Sequence, residues 1–302
     1  MAKIEQLRIG RTIVDVSNLD KILYPKARFT KGQVIEYYIK VAPVLLPHLK
    51  DRPITLKRYP GGVDGFFFYE RQCPSHRPAW VKTTSAPKTE GGTVDYCVMN
   101  DLAALVWAAN LADLELHTFL HRAPKIEQPT VVAFDLDPGP PLDVTDCCQV
   151  ALQLKKILEQ QKLKSFPKTS GSKGLQVFVP LNSRSSYETT KAFAHGIAEE
   201  LERTSPKTVV SKMQKALRQG KVLVDWSQND HHKTTVCVYS LRAKDQPTAS
   251  TPVTWREVET AAKSGDARKL IFTSEDVLAR IKKSGDLFAP VLNLKQKLPK
   301  FA

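Results

Sequence analysis

Between Thr130 and Gly139 the chain reads Thr-Val-Val-Ala-Phe-Asp-Leu-Asp-Pro-Gly, and this stretch limits the fold more than any other. Val131 to Phe134 is β-branched and aromatic, which predicts a buried strand, and Pro138-Gly139 stops it abruptly. Asp135 and Asp137 then sit at the carboxyl end of that strand and on one face, with roughly 6.6 Å between their Cα atoms. Two carboxylates held so close repel unless cations lie between them. A pair of divalent ions roughly 3.5–4 Å apart is the usual device for activating one oxygen and stabilising another in phosphoryl or nucleotidyl transfer. The same residues also describe a polar turn, because Asp, Pro and Gly are turn formers and an isolated Asp-x-Asp is a weak signal. Elements downstream decide between the two readings.

At 302 residues and 42% apolar content, the chain can bury a large core as one domain or two lobes. No run approaches the roughly 18 apolar residues of a membrane span, and Met-Ala-Lys-Ile-Glu-Gln lacks the apolar centre of a signal peptide, so a cytoplasmic protein without a membrane partner is expected. Cys73, Cys97, Cys147, Cys148 and Cys237 show no paired metal-ligand spacing and are expected to be reduced, structural thiols. Cys73-Pro-Ser-His76 has the form of half a zinc site, but no second half follows, so zinc is not expected. A net charge of +14 attracts polyanions by counterion release, which makes nucleic acid the leading partner.

Residues 4–16 predict an opening strand or hairpin. Thr30-Lys-Gly-Gln33 is a capping box, and Val34, Ile35, Tyr38, Val41 and Leu45 repeat behind it at helical spacing, predicting a helix over 31–48. Lys31 falls in its first turn, where free N–H groups and the helix dipole favour an anion; with Lys21 nearby, a terminal phosphate fits. Residues 51–60 predict a strand and Phe66-Phe-Phe-Tyr-Glu70 its return. Because strand faces alternate, at least one of Phe68 and Tyr69 should point outward, either as a stacking platform for bases beside basic residues or as a single Tyr at the rim of a core hairpin. A strand over 94–99, a helix over 101–113 and a strand at Leu114-Glu-Leu-His117 follow, with Glu115 and His117 on one face. A lone histidine gains interest only if its strand lies beside the one that ends in Asp137.

A helix over 142–163 leads to Ser165-Phe-Pro-Lys-Thr-Ser-Gly-Ser-Lys-Gly174 and a strand over 175–179. Two glycines let backbone N–H groups close on phosphate oxygens, while Ser170, Ser172 and Lys173 add donors and charge, so the loop is a candidate triphosphate cradle. It is not a Walker loop, since the Gly-x4-Gly-Lys-Ser/Thr spacing is absent. Ser185-Ser-Tyr-Glu188 is a capping box for a helix to about 203, and 212–218 predicts a short basic helix. The strand 221–225 then supplies a third acid, Asp225. Its expected partner is a strand over 233–242, ending in Arg242, whose guanidinium suits phosphate. Residues 255–302 predict one or two helices and a basic tail.

Taken together, Phe134-Asp-Leu-Asp-Pro-Gly139, Thr169-Ser-Gly-Ser-Lys-Gly-Leu175 and Val224-Asp-Trp-Ser-Gln-Asn229 resemble the polymerase domain of bacterial DNA ligase D, in the archaeo-eukaryotic primase superfamily. Asn18-Leu-Asp-Lys-Ile-Leu-Tyr-Pro25, Leu56-Lys-Arg-Tyr-Pro-Gly-Gly62, Leu114-Glu-Leu-His117 and Tyr239-Ser-Leu-Arg242 extend the likeness over nearly the whole chain. The resemblance implies an α+β primase-polymerase fold with mixed or antiparallel sheets and an RRM-like core flanked by helices. It implies one catalytic domain over 1–302: a lobe with 5′-phosphate and template contacts (1–125), the RRM-like core (126–250), and C-terminal helices with a basic tail (251–302). The implied activity is template-directed nucleotidyl transfer, filling gaps and extending ends in non-homologous end joining, with ribonucleotides favoured among NTP and dNTP substrates.

The same resemblance assigns Asp135, Asp137 and Asp225 to two divalent cations, Mn2+ or Mg2+. It assigns Lys57, His117, Ser170, Lys173, Arg218 and Arg242 to the incoming nucleotide, Lys21 and Lys31 to the 5′-phosphate of DNA, and Phe68 and Tyr69 to the template. Gln176 stands where the family has histidine; an amide still hydrogen-bonds a phosphate but cannot become cationic, so weaker nucleotide binding is expected. Implied partners are DNA ends and gaps bearing 5′-phosphate, the Ku end-binder and a separate DNA ligase, at the nucleoid. No Lys-x-Asp-Gly motif occurs, so ligase activity is not expected of this sequence, which is either a stand-alone polymerase or an excised domain. Two other readings compete: a haloacid dehalogenase phosphatase, which also uses Asp-x-Asp but early in the chain, and a non-catalytic module that bridges DNA ends.

Overall fold

The structure, a computed structural model, describes residues 4–87 and 91–299, and the chain divides into two units, each taken in turn. One unit comprises Lys125–Lys233, Ser250–Phe272 and Asp286–Ala302. Its centre is the strand expected from the sequence, Val131–Pro138, in a five-stranded sheet whose order is Phe166–Thr169, Leu175–Pro180, Val131–Pro138, Val222–Asp225, Val209–Val210. All neighbours run antiparallel except the last pair. Phe134 and Leu136 are fully buried, whereas Asp135 and Asp137 are half-buried. The hydrophobic run thus holds the strand in the core while the intervening acids keep contact with solvent.

Helices Val144–Gln160 and Tyr187–Thr204 pack on this sheet and on each other. The first begins two residues later than expected, because Asp143 caps it: its carboxylate accepts from the Thr145 N–H at 2.7 Å while Asp146 reaches back to the Asp143 N–H at 3.0 Å. Such a cap contributes about 1 kcal/mol. Buried Val150, Leu154 and Leu158 form its apolar stripe, each adding about 1.5–3 kcal/mol. The second helix is capped by Ser186 rather than Ser185, with its hydroxyl accepting from the Thr189 N–H. The expected basic helix is a single 3-10 turn, Lys215–Arg218. Helix Trp255–Ser264 packs against Val144–Gln160. Of the basic tail, residues 300–302 lie outside the described residues.

The other unit comprises Met1–Pro124, Thr234–Ala249 and Thr273–Gly285. It opens with the hairpin Ile4–Ile9 and Thr12–Ser17, followed by helix Lys31–Leu49 behind the expected capping box. Its six-stranded sheet runs in the order Thr235–Val236, Asp113–Thr118, Pro53–Arg58, Thr93–Val98, Lys82–Pro87, with Phe68–Glu70 also paired to Pro53–Arg58. Helices Leu102–Asn110 and Lys31–Leu49 pack together, and Ser274–Ser284 also contacts the latter.

Two expectations are corrected here. Of the strand expected over 233–242 only Thr235–Val236 forms, and it pairs with His117 and Thr118 instead of extending the sheet of Asp225. The strand of His117 accordingly has Pro53–Arg58 and Thr235–Val236 as neighbours, not Val131–Pro138. Nor are all the cysteines reduced: Cys73 and Cys97 form a disulfide, with their Cα atoms 4.9 Å apart, while Cys147, Cys148 and Cys237 are free and buried. Among the described residues no helix is long and apolar enough to cross a membrane.

Candidate active site

The sheet register brings the three acids together. Asp225 stands directly opposite Asp135 on the neighbouring strand, and Asp137 lies two residues further along. Directly opposed side chains leave a sheet on the same face with about 4.5–5.5 Å between Cβ atoms. Burial, followed by the charges of Asp137 and Asp225, raises the Asp135 pKa above the usual carboxylate range, against hydrogen bonding from Gln176 and the charge of Lys168. Asp135 Oδ1 is buried and has no hydrogen-bond partner. An orphaned oxygen amid like charges is a place where a hard cation relieves both desolvation and repulsion.

Asp225 does not yet join such a centre. Its Oδ1 accepts from the Ser227 N–H at 2.8 Å and the Ser227 hydroxyl at 2.6 Å, and its Oδ2 accepts from Gln228 Nε2 at 2.9 Å. Among the described residues no group of three His, Cys, Asp or Glu side chains is arranged to hold a metal ion. The donor set suits Mg2+ or Mn2+, since all its members are carboxylates. Asp225 Oδ2 carries a single hydrogen bond and so keeps acceptor capacity on that oxygen. The loop that follows Asp225 is anchored by Asn229, fully buried, which accepts from the Ala133 N–H at 2.9 Å and donates to the Ala133 carbonyl at 2.7 Å. An asparagine amide here continues the ladder where the strand has ended and so fixes the register of Asp225.

The loop 170–174 closes beside the acids. A Cβ on Gly174 would lie 2.3 Å from the Leu136 carbonyl oxygen and 3.3 Å from Asp137 Oδ1, so only glycine permits this approach. Gly139 is tighter still: a Cβ there would lie 1.7 Å from the carbonyl oxygen of Arg218. The cradle differs from expectation in one respect. Ser170 Oγ accepts from the N–H groups of Ser172 at 3.2 Å and Gly174 at 3.0 Å, so those two donors close the loop on itself. Lys173 is exposed, Ser170 and Gln176 are buried, and Arg218 is tied by Nη2 to the Met213 carbonyl at 2.6 Å.

In the other unit, Lys57, His117 and Arg242 converge on one buried carboxylate that sequence reasoning did not single out. Glu115, 1% exposed, lies 3.4 Å from Lys57 Nζ, 3.0 Å from His117 Nε2 and 3.2 Å from Arg242 Nε. Its second oxygen accepts from the Tyr59 hydroxyl at 3.3 Å and the Ala243 N–H at 3.1 Å. Burial works to raise its pKa, but the His117 hydrogen bond and the charges of Arg242, His117 and Lys57 outweigh it and hold the carboxyl well below its ordinary value. Burial also lowers the His117 pKa, against the pull of Glu115. The only hint in the sequence was its i, i+2 spacing from His117.

Lys57 Nζ also lies 4.7 Å from the ring centroid of Phe67 and 5.3 Å from those of Tyr59 and Tyr69. Phe66, Phe67 and Tyr69 are exposed, whereas Phe68 is half-buried under Arg58, so the outward rings include two not chosen from the sequence. Lys21 is exposed and lines a cavity of about 460 Å³ with Glu5, Asn18, Leu19 and Asp20. Lys31 is buried, donates to the Ser17 carbonyl at 2.6 Å, and has its pKa lowered to about 8 by burial and the charges of Lys21 and Arg58. The first-turn N–H groups of Lys31 and Gly32 already donate to the Lys21 and Leu19 carbonyls, both at 2.8 Å. An anion would therefore be held by the lysine charges, not by the helix terminus.

Mostly antiparallel sheets with flanking helices, carboxylates on adjacent strands and a serine-glycine loop closing beside them suit nucleotidyl transfer. The comparisons with known proteins narrow this. The family described as LigD, primase-polymerase domain, matches residues 30–288. The LigD protein of Mycolicibacterium smegmatis is 40% identical over 280 residues, 92% of this chain and 36% of its own length. The Bacillus subtilis LigD is 33% identical over 270 residues, 89% of this chain and 42% of its own. The polymerase domain of Mycobacterium tuberculosis ligase D, solved in complex with DNA, superposes with a TM-score of 0.86 at 36% identity, covering 96% of this chain and 99% of that one. The chain belongs to the LigD primase-polymerase domain family. It spans 36–42% of the length of these two curated relatives.

Proposed function

We propose that this chain adds nucleotides to DNA ends and gaps under template direction, within non-homologous end joining, with Asp135, Asp137 and Asp225 holding two divalent cations. The observation that carries this is the register of Asp225 opposite Asp135, with Asp137 beside the glycine-tight loop 170–174. Bound there, Mn2+ or Mg2+ would activate the attacking 3′-oxygen and neutralise charge on the departing pyrophosphate. The chain's own residues orient the substrate: Ser170, Lys173 and Arg218 offer donors to phosphate, and Lys57, His117 and Arg242, gathered by Glu115, serve nucleotide binding in the same reaction. Lys21 and Lys31 take the 5′-phosphate, with Phe68 and Tyr69, joined by Phe66 and Phe67, stacking on template bases. Ribonucleotide preference, and Ku and a separate ligase as partners, belong to this reading through the sequence resemblance alone. The net charge of +14 supports a DNA partner.

The test is extension of a gapped duplex with a 5′-phosphate, Mn2+ and each of NTP and dNTP. The parent extends it and Asp135→Ala does not, while both bind the duplex equally. A module that only bridges ends would bind in both forms and extend in neither.

A further inference from the structure

Lys168 lies in the edge strand Phe166–Thr169, where a lysine ordinarily reads as solvated, yet it is only 1% exposed. Its ammonium donates to Gln176 Oε1 and, at 2.7 Å, to Ser250 Oγ, and sits 5.4 Å from the ring centroid of Phe178. Ser250 is itself held, its hydroxyl donating to the Thr169 carbonyl at 2.8 Å. An ammonium is donor-only, so the Gln176 amide has one permitted orientation, with the oxygen toward Lys168 and Nε2 toward the neighbouring strand. Across that strand pair Gln176 stands opposite Asp135, and its side chain acts on that carboxylate, favouring the charged form against burial and the neighbouring acids. A buried cation, an amide of fixed sense and a carboxylate thus form a chain over three adjacent strands.

We infer that Lys168 is a positioning residue: acting through Gln176, it pins one oxygen of Asp135 and leaves Oδ1, buried and without a hydrogen-bond partner, for a divalent cation. The inference rests on the proposed metal-holding role of Asp135. It also bears on the glutamine found in place of histidine. A neutral imidazole has one acceptor and one donor nitrogen, so it would accept from Lys168 and donate to Asp135 as the amide does. The exchange preserves the chain.

Equilibrium Mn2+ binding, read from the electron paramagnetic resonance of free Mn2+, tests this alongside thermal melting. Asp135→Asn should abolish the binding seen in the parent. Lys168→Met and Gln176→Leu should weaken it by about 10-fold or more, the usual range for groups behind a metal ligand, and Gln176→His should restore most of what leucine loses. Folded Lys168→Met and Gln176→Leu proteins that bind Mn2+ as the parent does would overturn the inference and leave the metal site standing. Should Lys168→Met fail to fold, the leucine and histidine variants at 176 decide. If Asp135→Asn binds Mn2+ unchanged, the metal-holding reading and this inference fall together.

Discussion

Replacing Gly174 with alanine probes how closely the loop 170–174 must approach the acidic strand. The added Cβ would lie 2.3 Å from the Leu136 carbonyl oxygen, whereas carbon–oxygen contacts settle at about 3.3–3.6 Å, so loop and strand must part by about 1 Å. Leu136 lies between Asp135 and Asp137, and the contact is backbone, so no side-chain rotation can relieve it. Overpacking of this kind costs about 1–3 kcal/mol, which at a slope of about 2 kcal/mol/M lowers the urea midpoint by about 0.5–1.5 M. A displacement of about 1 Å at reacting groups lowers the rate on the order of 10²-fold. Urea titration and single-turnover extension on a gapped duplex measure both quantities. Gly61→Ala is the control, since its Cβ meets nothing closer than 3.8 Å, and it should stay within about 0.5 kcal/mol of the parent. A Gly174→Ala protein with the parent's midpoint and rate would refute the argument.

Two further outcomes follow from buried charge in the other unit. Glu115→Gln leaves Lys57 and Arg242 without their shared anion and should destabilise by about 3–5 kcal/mol at pH 7. Because the folded pKa of Glu115 lies below its unfolded value, this contribution is present above about pH 4.3 and lost as pH falls further, so urea midpoints of parent and variant should converge in acid. Asp113 is the opposite case. It is fully buried, neither carboxylate oxygen makes a well-formed hydrogen bond, and burial raises its pKa well above the usual range despite the Lys57 amide and Arg58 nearby. Its stabilising, protonated form is complete below about pH 3.9 and is lost as pH rises through the folded value. Asp113→Asn should therefore gain on the parent by up to about 1.4 kcal/mol per pH unit between about pH 3.9 and the folded value, and a difference that does not change with pH would contradict this.

What the sequence disclosed was whatever short-range pattern determines. The β-branched run before Asp135 and the Pro-Gly stop after Asp137 give a strand and its end in any compact fold, and Thr30 with Gln33 specifies a helix start by chemistry alone. Where two local solutions compete, the boundary moved: Ser185 and Ser186 can each cap, and the second does, its hydroxyl accepting from the Thr189 N–H. Long-range partners were not legible. Thr235–Val236 lies ten residues after Asp225, yet its pairing with His117 and Thr118 is decided by how the chain returns, and the Cys73–Cys97 link spans 24 residues with no spacing rule. Glu115 and Lys168 were hidden for the same reason: a charged residue within a short strand looks solvated until the fold gathers its partners. Fold class and the meeting of the three acids on adjacent strands were readable, while the partners of Glu115 and Lys168 were not.

The proposed reaction stands or falls on whether the carboxylates of two adjacent strands hold paired ions. The direct measurement is the number of Mn2+ ions bound per chain with a non-hydrolysable nucleoside triphosphate present, in the parent and in Asp225→Asn. Two ions in the parent and a loss of at least one in the variant is the outcome the sheet register leads to. Equal occupancy in both proteins, with Asp225 still bound to Ser227 and Gln228, would contradict it.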